Sequence, residues 1–119
     1  MEASKRFTEL IVWQKAHQFV LNSYKLTSRF PKEEIYGLTS QLRRAAVSIA
    51  ANIAEGFGKK GKKDKVRYFN ISQGSIEECK YYLILARDLG YPFEGQMEVL
   101  LEEVSKLANN YSRAIANSI

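Results

Sequence analysis

The chain has 119 residues, which is enough for one domain with its own hydrophobic core. Hydrophobic residues make up 45% and charged residues 26% of it, values that are typical of a globular protein and exclude a disordered one. Lysine and arginine total 18 against 13 acidic residues, so the net charge is +5 at pH 7.

Two features of the sequence predict where the protein resides. No apolar run reaches the roughly 18 residues that a membrane-spanning helix needs, and the N-terminal residues lack the apolar core of a signal peptide. Cys79 is the single cysteine, which excludes an internal disulfide bond and favours a reducing compartment. We therefore expect a cytoplasmic protein with no membrane contact.

The first helix is predicted from about Leu10 to Ser28. Apolar and small side chains recur there at steps of four and three residues, the spacing of one buried helix face: Val12, Ala16, Phe19, Ser23 and Leu26. Pro31 follows three residues after Ser28, and proline disfavours the helical conformation of the residue before it. The first helix therefore ends before this proline.

The second helix, predicted from about Ile35 to Phe57, has small residues on nearly every face. Its central stretch reads RRAAVSIAANIAEG, and such small side chains allow more than one neighbouring helix to approach closely. A single polar line runs along it, formed by Arg44, Ser48, Asn52 and Glu55.

Buried polar groups need partners, so we interpret the polar line as an interhelical hydrogen-bond network. Gly74 and Ser75 of the third helix are expected to supply the matching close approach, with Glu78 one turn further on. A ligand or catalytic site and a solvated helix face are the alternatives.

The connection to the third helix carries the entire net charge of the chain. This basic segment, residues 59–67, reads KKGKKDKVR and has six cations, namely Lys59, Lys60, Lys62, Lys63, Lys65 and Arg67. With one aspartate its net charge is +5, so the remaining residues balance. Cations at a helix N-terminus oppose the helix dipole, so stability does not explain them.

Binding to a phosphate backbone would explain the basic segment, because neutralised phosphates release counterions and give a strong, salt-sensitive affinity. A solvated lysine loop that only aids solubility is an equal alternative. An anionic protein partner or a membrane surface is a lesser one.

The third helix is predicted from about Lys63 to Leu89 and the fourth from about Gln96 to Ala116. Phe69, Ile76 and Leu83 repeat at seven-residue steps in the third, and alternating strand patterns are absent. Four amphipathic helices joined by short connections predict an all-α, antiparallel up-and-down four-helix bundle. We expect it to form a single domain over residues 1–119.

Residue types that carry catalysis or bind metals are scarce. His17 is the only histidine, too few for the paired motifs of di-iron bundles or for a three-ligand zinc site. Cys79 falls at a core position of the third helix, where we expect an inert buried thiol. No glycine-rich loop matches a phosphate-cradling motif. We therefore expect no enzymatic activity, no cofactor and no metal.

Three stretches of the chain resemble a known family. They are VWQKA at residues 12–16, FPKEEIYGLTSQLRRAAVSIAANIAEG at 30–56 and GSIEE at 74–78. In them the chain is similar to the four-helix-bundle proteins encoded by 23S ribosomal RNA intervening sequences. The accessory variability determinant of diversity-generating retroelements shares that fold. The similarity covers roughly residues 7–91, and the fourth helix resembles the family only in its pattern.

The resemblance implies a bundle that assembles into a homopentamer and has no known catalytic residues. The retroelement relative is implicated in binding nucleic acid and a reverse transcriptase through basic surface. Our leading hypothesis is a non-catalytic oligomer that binds RNA or DNA at the basic segment, with Arg43 as the next candidate cation. The alternative is an oligomeric scaffold that holds a protein partner without touching nucleic acid.

The aromatic residues bear on assembly without reference to the family. Seven tyrosines, six phenylalanines and one tryptophan are many large side chains for the core of a small bundle. Several of the tyrosines are therefore expected at subunit contacts, namely Tyr68, Tyr81, Tyr82 and Tyr111. Tyrosines at the surface of a monomer are the alternative, and the family resemblance favours the subunit contacts.

Overall fold

Four long helices and two short 3₁₀ turns make up the protein in this computed structural model, which describes residues 3–118. The helices are α1 (Ile11–Thr27), α2 (Leu38–Gly58), α3 (Lys62–Asp88) and α4 (Gly95–Ala116), and the turns span Phe7–Glu9 and Lys32–Glu34. No strand occurs within the described residues, and no helix among them is long and apolar enough to cross a bilayer. The predicted all-α fold is confirmed.

The helices pack as a four-membered bundle in chain order. Each contacts the helix before and after it, and α4 closes the bundle against α1, giving a molecule of 49 × 23 × 20 Å. One apolar face of each helix fills the centre, with Phe19, Ile49, Ile76 and Leu101 each fully buried. The helical periodicity of the sequence therefore identifies the core correctly.

The most extensive contact in the bundle lies between α2 and α3. Small hydroxyl side chains bridge the two backbones there. The Ser72 hydroxyl of α3 donates to the Ile49 carbonyl of α2 at 3.0 Å, and Ser75 Oγ donates to Ser48 Oγ at 2.7 Å. Because these side chains are short, the two helix backbones can approach closely, as the small-residue composition of α2 predicts.

Gly56 allows this close contact to continue to the end of α2. A Cβ atom at Gly56 would lie 3.1 Å from Tyr68 Cβ and 3.3 Å from the Lys65 carbonyl oxygen, both in α3. The expectation that Gly74 provides the close approach in α3 is wrong. No atom lies within 4 Å of a Cβ built there, because Gly74 is on the exposed side of α3 and its neighbour Ser75 faces α2.

The second helix begins at Leu38, three residues later than predicted, because Glu34 caps it. The Leu38 backbone N–H donates to Glu34 Oε1 at 3.0 Å, and residues 32–34 form a 3₁₀ turn. The Tyr91 hydroxyl donates to Glu34 Oε2 at 2.7 Å, which ties the α1–α2 connection to the α3–α4 connection. Both hydrogen bonds, the backbone one most strongly, hold the pKa of Glu34 below its usual range.

Gly56→Ala and Gly74→Ala are expected to change stability in opposite directions, although each adds one methyl group to a helix. Alanine is favoured over glycine in a helix by roughly 0.5–1 kcal/mol, so Gly74→Ala, in open space, should stabilise by about that amount. At Gly56 the methyl meets Tyr68 and the Lys65 carbonyl, and crowding of this kind costs roughly 1–3 kcal/mol. Thermal melts at one protein concentration measure both, and shifts of the same sign would contradict the close contact.

Glu34→Gln is expected to lower the melting temperature at neutral pH and to have little effect in acid. A carboxyl group whose pKa is lower in the folded state adds stability above its unfolded-state pKa, and this stability disappears as pH falls through the folded-state pKa. Glu33→Gln is the matched control, since it removes the same charge from an exposed neighbour. Melting curves from neutral pH down to about pH 3 test this; a constant difference between the Glu34 variant and wild type would contradict it.

Candidate nucleic-acid interface

The basic segment lies at one end of the bundle, where α2 turns back into α3. α2 ends at Gly58 and α3 starts at Lys62, so only residues 59–61 connect the two helices. Lys59 and Gly61 both have extended backbones, which stop one helix and start the next. Because the connection is so short, the cations of both helix ends are held within one small region of the surface.

Lys65 caps the C-terminal end of α2. Its ammonium donates to the Phe57 carbonyl at 2.8 Å and to the Gly56 carbonyl at 3.3 Å, and it lies 5.7 Å from the centre of the Phe57 ring. The last carbonyls of a helix have no partner within the helix and carry its negative dipole end, so a cation there is stabilising. The sequence suggests a cation that opposes the dipole of α3, whereas the structure uses it to cap α2.

Tyr68 holds two further cations of the segment. The Lys59 ammonium lies 5.2 Å and the Arg67 guanidinium 5.0 Å from the centre of its ring, distances at which a cation is attracted to an aromatic face. Lys59 also lies 3.9 Å from the Glu55 carboxylate one turn earlier in α2. Tyr68 is thus engaged by the chain's own cations and is not an open platform for stacking.

Four cations of the segment are exposed, and Arg67 is one of them although its guanidinium also contacts the Tyr68 ring. We call these four the outer cations: Lys60, Lys62, Lys63 and Arg67. Lys62 donates to the Ser118 carbonyl just beyond α4, which places the end of α4 beside the start of α3. None of the four forms an ion pair with a carboxylate within residues 3–118. Their charge is therefore not neutralised by the fold.

Arg43, the next candidate cation, does not join this surface. Its guanidinium donates to Thr27 Oγ1 at 2.7 Å and to the Tyr24 carbonyl at 3.4 Å, and it lies 4.5 Å from the centre of the Tyr24 ring. It thus covers the C-terminal end of α1 as Lys65 covers that of α2. Sixteen residues of helix separate Arg43 from Lys59, a distance of about 24 Å.

The expected interhelical network does not form at three of its five residues, two from the polar line of α2 and one from α3. Arg44, Glu55 and Glu78 are exposed, and none of them hydrogen-bonds across the α2–α3 contact within residues 3–118. Glu78 affects a residue of its own helix, Tyr82. Burial of Tyr82, and after it the negative charge of Glu78, raises the pKa of the Tyr82 hydroxyl. These side chains project to the outer side of the α2–α3 contact, so water can satisfy them.

The remaining members of the line do form a bridge. Ser48 accepts a hydrogen bond from the hydroxyl of Ser75 across the helices, as described above. The Asn52 amide donates to the Ser48 carbonyl at 2.8 Å and to Ser48 Oγ at 3.0 Å, both within α2. Asn52 is half-buried, and among residues 3–118 its hydrogen bonds connect it to α3 through Ser48. The network is therefore smaller than predicted and serves packing.

The features that sequence reasoning missed are those that depend on the ends of two helices at once. Lys65 caps α2 only because the turn before it is short and Gly56 lets α3 approach. The spacing of a lysine eight residues after a helix-terminal Phe57, across a glycine-rich turn, is the available signal. Ser72 is buried against α2, as its position seven residues before Cys79 in the heptad pattern predicts, but that pattern does not indicate its hydrogen bond to the Ile49 carbonyl.

Cys79, the single cysteine of the chain, is buried in the core. Burial, and to a lesser degree the charge of Glu78, raises the pKa of the Cys79 thiol to about 12, so it stays protonated at neutral pH. Within residues 3–118 no group of three or more His, Cys, Asp or Glu side chains is placed to hold a metal ion.

Comparison with known proteins identifies a matching family and a solved structure with the same fold. The family described as 23S rRNA-intervening sequence protein matches residues 8–113 of the chain. A crystal structure of a protein of unknown function from the S23 ribosomal protein family of Bacteroides thetaiotaomicron has the same fold, with a TM-score of 0.77. That protein is 24% identical, and the alignment covers 87% of this chain and 96% of the other. No curated protein sequence matches.

Lys65→Met is expected to lower the melting temperature, whereas Lys63→Met is expected to leave it unchanged or raise it slightly. Both variants remove one cation from the start of α3. Because a cation there opposes the helix dipole, its removal by itself stabilises the helix by a few tenths of a kcal/mol. Only Lys65→Met also removes hydrogen bonds to the end of α2, at a cost of about 1 kcal/mol. Thermal melts of the two variants test this, and equal melting temperatures would contradict the cap.

Proposed function

Because the chain belongs to the 23S rRNA-intervening sequence protein family, we propose that it is a non-catalytic nucleic-acid-binding protein. It binds the phosphate backbone of RNA or DNA at the end of the bundle that carries the basic segment. Contacts to phosphate carry no sequence information, so recognition there is of the backbone and not of a sequence.

The observation that carries this proposal is the exposure of the outer cations. Lys65 and Arg43 are used by the fold, but Lys60, Lys62 and Lys63 are exposed on one end of the molecule with no carboxylate paired to them in the described part of the chain. Like charges brought together repel one another, so this arrangement costs stability unless an anion is bound. A polyanion supplies several phosphates on one molecule and releases counterions when it binds.

We further propose that the protein acts as a homopentamer in the cytoplasm. Exposed apolar side chains on the outer faces of α2, α3 and α4 support an assembly, among them Val47, Ile71, Tyr81 and Val99. Tyr68 and Tyr111, also expected at subunit contacts, are half-buried and contact cations and Phe69 of the same chain. A ring of five would repeat the outer cations around one rim, and linked sites bind a polyanion more tightly than single ones.

The alternative function is an oligomeric scaffold for a protein partner. A shallow apolar groove between α1 and α2 favours it, lined mainly by Trp13, Val20, Val47, Ala50 and Ala54. The two functions differ in what the basic segment does, so a test of that segment separates them.

Replacing Lys60, Lys62 and Lys63 with glutamine is expected to weaken binding to RNA or DNA and to reduce its dependence on salt. The plot of log affinity against log salt should become shallower by about 0.7–0.9 for each phosphate that is no longer neutralised. Fluorescence anisotropy across a salt series measures this. Replacing Lys25, Lys32 and Lys106 with glutamine is the matched control, because these exposed lysines lie outside the basic segment.

Equal effects of the two triple variants would show that only net charge matters. Absence of binding by the wild-type protein at low salt would leave the scaffold. Sedimentation of the same samples reports assembly, for which we expect a species about five times the 13.6 kDa chain mass. A stable species of 13.6 kDa would contradict the homopentamer.

A further inference from the structure

A groove with an apolar floor and a cationic rim lies beside the basic segment. It runs between the first turns of α3 and the last turn of α4 and has a volume of about 500 Å³. Its lining consists of Lys62, Lys63, Val66, Arg67, Asn70 and Ala116. Sites for small organic molecules measure roughly 300–1,000 Å³, so the groove has room for one nucleotide unit.

The charge of the groove suits a phosphate. Lys62, Lys63 and Arg67 give its rim three positive charges, while Asp64, the one acidic residue of the basic segment, is not part of the lining. Lys62 donates to the Ser118 carbonyl, but an ammonium has three N–H donors, so two remain for a ligand. Arg67 presents the planar fork that matches phosphate oxygens.

The floor of the groove distinguishes it from a plain phosphate site. Val66 is half-buried and Ala116 is exposed, so two small apolar side chains face solvent between the cations. Asn70, exposed at the same groove, offers both an amide donor and a carbonyl acceptor. An apolar surface flanked by cations and one amide is complementary to a nucleotide, which combines a phosphate with a flat base whose edge is polar.

We propose that this groove binds one unstacked nucleotide of a single-stranded nucleic acid. The phosphate lies at Lys62, Lys63 and Arg67, and the base lies over Val66 and Ala116. In a duplex the faces of the bases are covered by their neighbours, so only a single strand or an unpaired loop can offer a base to the groove. This inference rests on the proposed function and gives it a substrate class.

The test compares a labelled oligouridylate with a duplex RNA that carries the same number of phosphates, by fluorescence anisotropy at one salt concentration. Wild type is expected to bind the single strand more tightly. Ala116→Leu fills the groove without changing its charge and should weaken single-strand binding about fivefold. This is the loss of affinity expected when the base no longer covers ~40 Å² of apolar surface. Its affinity for the duplex should stay unchanged.

Ala114→Leu is the matched control, because Ala114 is exposed on the same turn of α4 but does not line the groove. Asn70→Ala provides a second variant, expected to weaken single-strand binding in the same way. Melting curves establish that all three variants fold. A preference for the single strand that is abolished in Ala116→Leu and kept in Ala114→Leu supports the inference.

Two outcomes overturn the inference in distinguishable ways. Equal affinity of wild type for single strand and duplex, or equal effects of the two leucine variants, removes the groove but leaves backbone binding intact. Failure of wild type to bind either RNA removes the proposed function together with the groove.

Discussion

The close contact between the last turns of α2 and the first turns of α3 is the constraint on which the rest of the structure depends. It is possible because Gly56 has no side chain to separate the two backbones. The contact accompanies a connection of only three residues, brings Lys65 to the final carbonyls of α2, and leaves Lys60 and Lys63 exposed. The local geometry of the candidate interface therefore follows from a packing requirement at one glycine.

A second consequence is the division of the basic residues into two classes. Arg43 and Lys65 each lie over the C-terminal end of a neighbouring helix, where the negative end of the helix dipole favours a cation. Within the basic segment, this capping accounts for only one of six cations. The others are held by Tyr68 or exposed, so the fold explains the position of the basic segment but not its charge. Binding of a polyanion is the explanation we propose for that charge.

Much of the fold could be predicted from the sequence, because helical periodicity and the positions of proline and glycine depend on nearby residues. The buried repeat of Phe69, Ile76 and Leu83 is one example. Predictions that depended on which side of a helix a polar residue faces were less successful. Arg44 and Glu55 share a line with Ser48, yet only Ser48 is turned far enough toward α3 to make a contact. Periodicity alone does not give that rotation to within one residue.

The candidate site was predictable in location but not in the roles of its residues. A run of lysines among glycines marks a turn and a charged surface, and the structure has both. Whether a given lysine caps a helix or remains exposed depends on the path of the neighbouring backbone, which Gly56 sets. The groove beside α4 was also beyond prediction, since Val66 and Ala116 are 50 residues apart and neither is distinctive in the sequence.

Acetylation of lysines followed by mass spectrometry, with and without single-stranded RNA, tests the central claim most directly. In the protein alone, Lys65 should react more slowly than Lys60 and Lys63, because its ammonium is hydrogen-bonded to two carbonyls. Addition of RNA should protect Lys60 and Lys63 while leaving Lys25 and Lys106 as reactive as before. Equal reactivity of Lys65 and Lys60 in the free protein, or no protection by RNA in the basic segment, would contradict the account.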